Sequence, residues 1–146
     1  MLRDPSLIPL SRQHHNGLAL CVLSRRSLAA DSSPANIIKV AKRVIDQFEM
    51  ELANHFEIEE RVLFPACGPL PIIDELLADH RSYEGMIAQL RTEPSTELME
   101  QMFVLLTRHI RREERELFEH VQITLPRETL DHMGGEIERQ VVKICL

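Results

Sequence analysis

Two stretches of the chain carry the same residue types at the same spacing. The segment His55-Phe-Glu-Ile-Glu59-Glu60-Arg61-Val-Leu63-Phe64 recurs as His109-Ile-Arg-Arg-Glu113-Glu114-Arg115-Glu-Leu117-Phe118, an offset of 109 minus 55, or 54 residues. Upstream of each lies one more histidine, four residues after a leucine: Leu10 before His14, and Leu76 before His80. The repeat unit is therefore a histidine followed by His-x3-Glu, and its duplication reads as two helical hairpins of one pattern. Residues four apart on an α-helix sit one above the other, so His55 projects with Glu59 and His109 with Glu113. All six residues fall on stripes that are otherwise apolar. A carboxylate buried there without a partner costs several kcal/mol, on the order of the desolvation penalty of a charge, and a bound cation compensates it directly. Imidazole plus carboxylate, without thiolate, suits iron, manganese or zinc, and two carboxylates able to bridge two ions favour a di-iron centre over zinc.

The elements that must position these residues are helices. Apolar residues recur every three or four positions and strict alternation is almost absent, which predicts an all-α fold. The first helix is predicted to begin near Pro9, with Leu7, Leu10, His14, Cys21 and Leu28 on its stripe. Asp31-Ser32-Ser33-Pro34 stops it and restarts the chain, with Ser33 as N-cap and Pro34 at the first helical position. A second helix is predicted from about residue 35 to about residue 64. Its stripe is Ile38, Ala41, Ile45, Phe48, Leu52, His55, Glu59 and Val62, and Pro65, Gly68, Pro69 and Pro71 break it. The third runs to about Arg91 with Ile73, Leu76, His80, Tyr83, Ile87 and Leu90 inward; Ser95 or Thr96 caps the fourth, which carries Leu98, Met102, Leu105, His109, Glu113 and Leu117. Beyond Pro126 we expect a short segment broken at Gly134-Gly135, then an amphipathic piece with Ile137, Val141 and Ile144 lying across the bundle. Four long helices with short loops favour an antiparallel up-down four-helix bundle with a short C-terminal helical tail.

The 146 residues have the length of one domain, with a core spanning about residues 7–120 and a tail at about 126–146. A net charge of -6, no Trp and a single Tyr argue against a nucleic-acid partner. Leu2, Leu7, Ile8 and Leu10 are interrupted by Arg3, Asp4, Pro5 and Pro9, which resembles no secretory signal, and no apolar run is long enough to span a bilayer; a cytoplasmic location without membrane partners is expected. Cys21, Cys67 and Cys145 are odd in number and scattered, and are expected as reduced packing thiols.

From about residue 7 to 120 the pattern resembles the hemerythrin-like HHE cation-binding family, whose signature is His, His-x3-Glu, His, His-x3-Glu on four antiparallel helices. The resemblance implies His14, His55, His80 and His109 as terminal ligands of two iron ions, oxo- or hydroxo-bridged, with Glu59 and Glu113 spanning both. Oxygen-carrying members have a fifth histidine where this chain has Leu76, and their second bridging carboxylate falls at the place of Glu114. Glu113 is preferred here because it repeats the His55/Glu59 spacing. His15 competes with His14, which fits better because it shares the stripe of Leu10 and Cys21. Glu84, four residues after His80, and Tyr83 are candidates for the missing ligand. His120 and His132 are expected on the surface, and Glu60, Arg61, Glu114 and Arg115 as helix-surface charges or supports of the ligands.

Three functions follow from the resemblance. A binding or sensing module would take up oxygen or a related small ligand, or handle iron, in a pocket lined by Leu18, Phe48, Leu52, Met102 and Leu106, passing any signal to a separate protein. A di-iron enzyme would act on peroxide or nitric oxide. A structural bundle would keep the motif without metal. The first is preferred, and the absent fifth histidine predicts a site that reacts with oxygen without being a durable carrier.

Overall fold

A computed structural model of the chain describes residues 1–144, so Cys145 lies outside the described residues. Five helices carry nearly the whole of it and no strand occurs among the described residues. We number them α1 (Ile8–Ala30), α2 (residues 34–67), α3 (Pro71–Thr92), α4 (residues 96–124) and α5 (Arg127–Gln140). Helix α1 packs on α2 and α4, and α3 on the same two from the other side, as in an up-down bundle.

The boundaries follow local chemistry. Ser33 accepts a hydrogen bond from the Asn36 backbone N–H at 3.3 Å, with Pro34 opening α2, and Ser95 rather than Thr96 caps α4 through the Leu98 N–H at 3.1 Å. Asn36 also closes the end of α1, its amide donating to the Ser27 and Asp31 carbonyls. The break after α2 falls at Gly68 rather than at Pro65. Gly68 has φ 72°, where a side chain would be strained, whereas Pro65 is taken up in the last turn.

Helices α2 and α4 are not regular throughout. Wide turns occupy Phe48–Leu52, Glu59–Leu63 and Glu113–Leu117, where the backbone N–H of Ala53, Phe64 or Phe118 reaches back five residues instead of four. Each slips the helical phase. A stripe threaded at constant pitch from His55 back to Ile38 therefore ends on the wrong face: Ile38 is 60% exposed, Ile45 only half-buried, and the core takes Val40, Ala41 and Val44. Beyond Glu59 the buried residue is likewise Leu63, with Val62 only partly covered.

The tail also departs from expectation. Helix α5 runs unbroken through Gly134 and Gly135, burying Leu130, Met133 and Ile137, and residues 141–144 are not helical. Gly134 is a point of close approach rather than a break, since a Cβ there would stand 2.8 Å from the Ser6 Cβ and 2.9 Å from its Cα.

The apolar interior is divided in two. One cluster holds Leu20, Val44, Leu52, Phe56, Ile87, Met102 and Leu106; the other holds Leu10, Ile58, Leu63, Leu76, Leu117 and Phe118. The two meet at a level where every bundle helix carries a buried histidine or glutamate. Of the expected pocket residues, Leu52, Met102 and Leu106 are buried in the first cluster, and Leu18 and Phe48, only partly buried, pack against it. Each large apolar side chain fully buried there contributes about 1.5–3 kcal/mol, so a polar layer across the middle is kept at a real cost in stability. Among the described residues no helix is long and apolar enough to cross a membrane.

Candidate metal centre

The polar layer consists of His14, His55, Glu59, His80, His109 and Glu113, none more than 3% exposed. One residue comes from α1, two from α2, one from α3 and two from α4. Their donor atoms form two groups, His14, His55, Glu59 and Glu113, and His80, His109, Glu59 and Glu113, each with all four atoms within 4.8 Å of one another. The glutamates belong to both groups, and each divides its oxygens between them. Glu59 turns Oε2 to His55 Nε2 (3.4 Å) and Oε1 to His80 Nε2 (3.1 Å). Glu113 turns Oε2 to His14 Nε2 (3.2 Å) and Oε1 to His109 Nε2 (2.6 Å).

All four histidines are held by their other nitrogen. His14 Nδ1 lies 2.6 Å from Glu114, His55 Nδ1 2.8 Å from Gln13, His80 Nδ1 2.8 Å from Glu60, and His109 Nδ1 3.0 Å from Asp79. An acceptor at Nδ1 keeps the proton there and leaves the Nε2 lone pair for the centre. The repeat extends to these supports. Gln13 and Asp79 each precede the upstream histidine, and Glu60 and Glu114 each follow the glutamate of the His-x3-Glu pair. Phe118 stacks on His14 (5.3 Å between ring centres) and Phe64 on His80 (5.8 Å), again 54 residues apart. Glu60 and Glu114 were legible as supports or surface charges. For Gln13 and Asp79 the only mark in the sequence is their matching place beside His14 and His80.

Inside the layer His80 Nε2 and Glu59 Oε1 are hydrogen-bonded to each other (3.1 Å), and the remaining inward-facing polar atoms lack hydrogen-bond partners among the described residues. Nε2 of His14, His55 and His109, Oε2 of Glu59 and both oxygens of Glu113 are buried and unsatisfied, the short contacts among them being poorly angled for hydrogen bonds. Such groups are rare in native proteins and ask for an explanation. With two carboxylates and four imidazoles converging, the donor set fits a pair of cations of the iron, manganese or zinc type.

The titration of the layer points the same way. Without a cation the two carboxylates cannot both stay charged: burial, and then the adjacent Glu113 charge, push Glu59 well above the carboxylate range. Burial takes His80 down to about 3 and His55 well below its ordinary range, which keeps these imidazoles neutral. For His14 and His109 burial is outweighed by the facing glutamates, chiefly Glu113, and both are raised.

The remaining sequence candidates lie outside the layer. His15 is exposed on the outer face of α1. Glu84 is not among the converging donors: its side chain is 39% exposed and ion-paired with Arg81 at 2.8 Å. The inward stripe of α3 continues through Tyr83 and Ile87, and Glu84 falls at its edge, within reach of water. Tyr83 is buried beside Phe48 and Phe56, 6.1 Å from each between ring centres, and its hydroxyl has no hydrogen-bond partner among the described residues.

Comparison with known families matches residues 9–121 to the model of the hemerythrin HHE cation binding domain. No curated protein and no solved structure gives a match.

Proposed function

Because the chain belongs to the hemerythrin HHE cation binding domain family, we propose that its six buried donors hold two iron ions and that the pair serves to bind or sense a small ligand such as oxygen. One observation carries the reading: each glutamate turns one oxygen to each histidine pair, which is the arrangement of a carboxylate bridging two ions. His14 and His55 would bind one ion and His80 and His109 the other, with Glu59 and Glu113 shared. Reduced iron at such a site supplies the electrons for reversible or irreversible reaction with a small oxidant.

The chain's own residues set the terms of that chemistry. The supports at each Nδ1 aim the imidazoles and raise their basicity. Glu59 and Glu113 offset the added positive charge, and the apolar cluster around Leu52, Met102 and Leu106 keeps bulk water from one side of the layer. Four protein donors per position leave sites for water or ligand, which favours reaction with oxygen over durable carriage. The same count supports a second reading as an enzyme acting on peroxide or nitric oxide. A metal-free structural role would leave the unsatisfied layer without any compensating partner.

Metal content and the visible spectrum of protein purified in air test the proposal. About two irons per chain with a bridged ferric spectrum is the expected result; zinc or manganese at the same stoichiometry would correct the metal, and no metal after anaerobic ferrous loading would refute the reading. Mixing the anaerobic ferrous protein with oxygen should give rapid oxidation without a species discharged by removing oxygen. Repeated turnover of peroxide or nitric oxide would favour the enzyme.

A further inference from the structure

The chain after α5 is tied to one histidine of the layer. At Val141 the backbone leaves the helix in extended conformation (φ -71°, ψ 133°) and passes along α2. The Asn54 side chain receives it as a neighbouring strand would: its Nδ2 donates to the Gln140 carbonyl (3.0 Å) and its Oδ1 accepts from the Val142 N–H (3.0 Å). Gln13, itself 3% exposed, joins this contact from α1. Its Nε2 donates to Asn54 Oδ1 (3.1 Å) and to the Val142 carbonyl (3.2 Å), and its Oε1 accepts from His55 Nδ1 (2.8 Å).

The orientation of the Gln13 amide is the decisive feature. A glutamine amide presents an acceptor at one end and two donors at the other. With two oxygens, of Asn54 and Val142, facing its nitrogen, the amide cannot turn over without setting oxygen against oxygen. Its Oε1 therefore faces His55, the His55 proton sits on Nδ1, and the Nε2 lone pair points into the layer. The matching histidine, His109, has no such dependence. Its support Asp79 offers two equivalent oxygens and lies 3.6 Å from Arg108, a pairing made without the C-terminal segment.

We propose that residues 141–144, acting through Asn54 and Gln13, position His55, so that docking of this segment and loading of the His14/His55 half of the centre are coupled. Gln13 and Asn54 are positioning residues. Removing the segment takes away one of the two acceptors that orient the Gln13 amide and one of the backbone contacts that hold the other, Asn54, in place; the amide can then turn and the His55 proton move to Nε2, where it blocks ligation. By linkage, occupancy of that half holds the segment down by the same factor. A partner that captured the C-terminal segment would thereby weaken one metal position and spare the other. The positioning of His55 stands on the hydrogen bonds alone; the coupling to metal rests on the function proposed above.

The test uses the full chain in two arms. In metal-free protein with 15N-labelled histidine, the His55 Nδ1–H should give a protected signal; Asn54→Ala should accelerate its exchange at least tenfold and leave that of His109 unchanged. Gln13→Leu should abolish the signal, and Gln13→Glu, which keeps an acceptor but gives up the donors, should restore it. Val142→Pro, on an exposed residue, repeats the Asn54→Ala result without touching α2. An unchanged His55 signal in both would overturn the positioning. In the second arm, anaerobic titration with ferrous ion should show one of two positions weakened about 10–100-fold in Asn54→Ala, as expected for loss of a ligand's support, and slower exchange of the Val142 amide on loading. Equal weakening of both positions, or of neither, would overturn the coupling. A wild-type chain that takes up no metal would refute the function proposed above and the coupling with it, while the first arm still decides the positioning.

Discussion

His14 and His55 face His80 and His109 across the same two glutamates, yet the neighbours behind the two pairs differ in charge and in bulk. Behind His55 is the neutral amide of Gln13, tied to the C-terminal segment; behind His109 is the carboxylate of Asp79, tied to a surface arginine. Phe56 stacks on His80 at 3.9 Å between ring centres and meets Tyr83 edge-on, whereas the places matching Phe56 and Tyr83 in the repeat hold Ile110 and Gly17. Gly17 is small for a reason: a Cβ there would come within 3.3 Å of the Ile110 side chain, so α1 and α4 lie closer than an aromatic pair would permit. The duplicated pattern thus supplies equal donors, and the divergence lies in what holds them. A carboxylate behind a histidine strengthens it as a ligand more than an amide does. The His80/His109 half is expected to bind first and more tightly.

The largest effect should come from the part the halves share. Glu59→Gln is expected to abolish tight binding at both positions while stabilising the metal-free protein. The sign follows from linkage. Glu59 is held well above its ordinary range, so its proton is retained in the fold and released on unfolding at neutral pH, which lowers stability above the ordinary carboxylate range. Removing the group at pH 7 should raise Tm, by on the order of 1–3 kcal/mol in stability. Loss of only one metal position would show that the halves do not share Glu59.

Next, Asp79→Asn should weaken the His80/His109 half about 10–100-fold and bring the two positions closer in affinity. Equal weakening of both would remove the distinction between them. Affinity should also depend on pH. Glu59, His14 and His109 all hold protons above their ordinary ranges, and these must leave as metal enters, so affinity falls with falling pH, about tenfold per unit for each proton released. Calorimetry in buffers of different ionisation enthalpy reads the proton count, and a release of none would contradict the expectation.

Gly134→Ala should cost about 1–3 kcal/mol, because the added methyl meets the Ser6 backbone as well as its side chain. Thermal unfolding measures it, and a neutral result would mean that the Ser6 turn yields. The smallest effect is expected at Glu84→Ala, within about 0.5 kcal/mol and without change in metal uptake, since the residue pairs at the surface. A lost metal position in this variant would return Glu84 to the site.

The six central residues were legible in the sequence because the pattern occurs twice; one His-x3-Glu would have carried little weight. Helix starts at Ser33 and Ser95 were legible because capping is local chemistry. The placement of Ile38 was not, since wide turns in α2 change the phase between it and His55, and no residue type marks such a turn beforehand. Gly134-Gly135 misled for the opposite reason: a glycine pair reads as a break, but here Gly134 serves a contact with Ser6, far away in the chain. Glu84 shares the spacing of Glu59 and Glu113 yet sits at the edge of its stripe, so spacing alone does not separate a residue of the buried layer from one at the surface.

The proposed centre stands or falls on two cations sharing two carboxylates. Anaerobic titration of the metal-free chain with ferrous ion, followed by elemental analysis after removal of excess metal, measures this most directly. About two irons should be retained per chain, taken up in two distinguishable steps, the tighter one weakened by Asp79→Asn. Retention of a single ion, or of none, would contradict it.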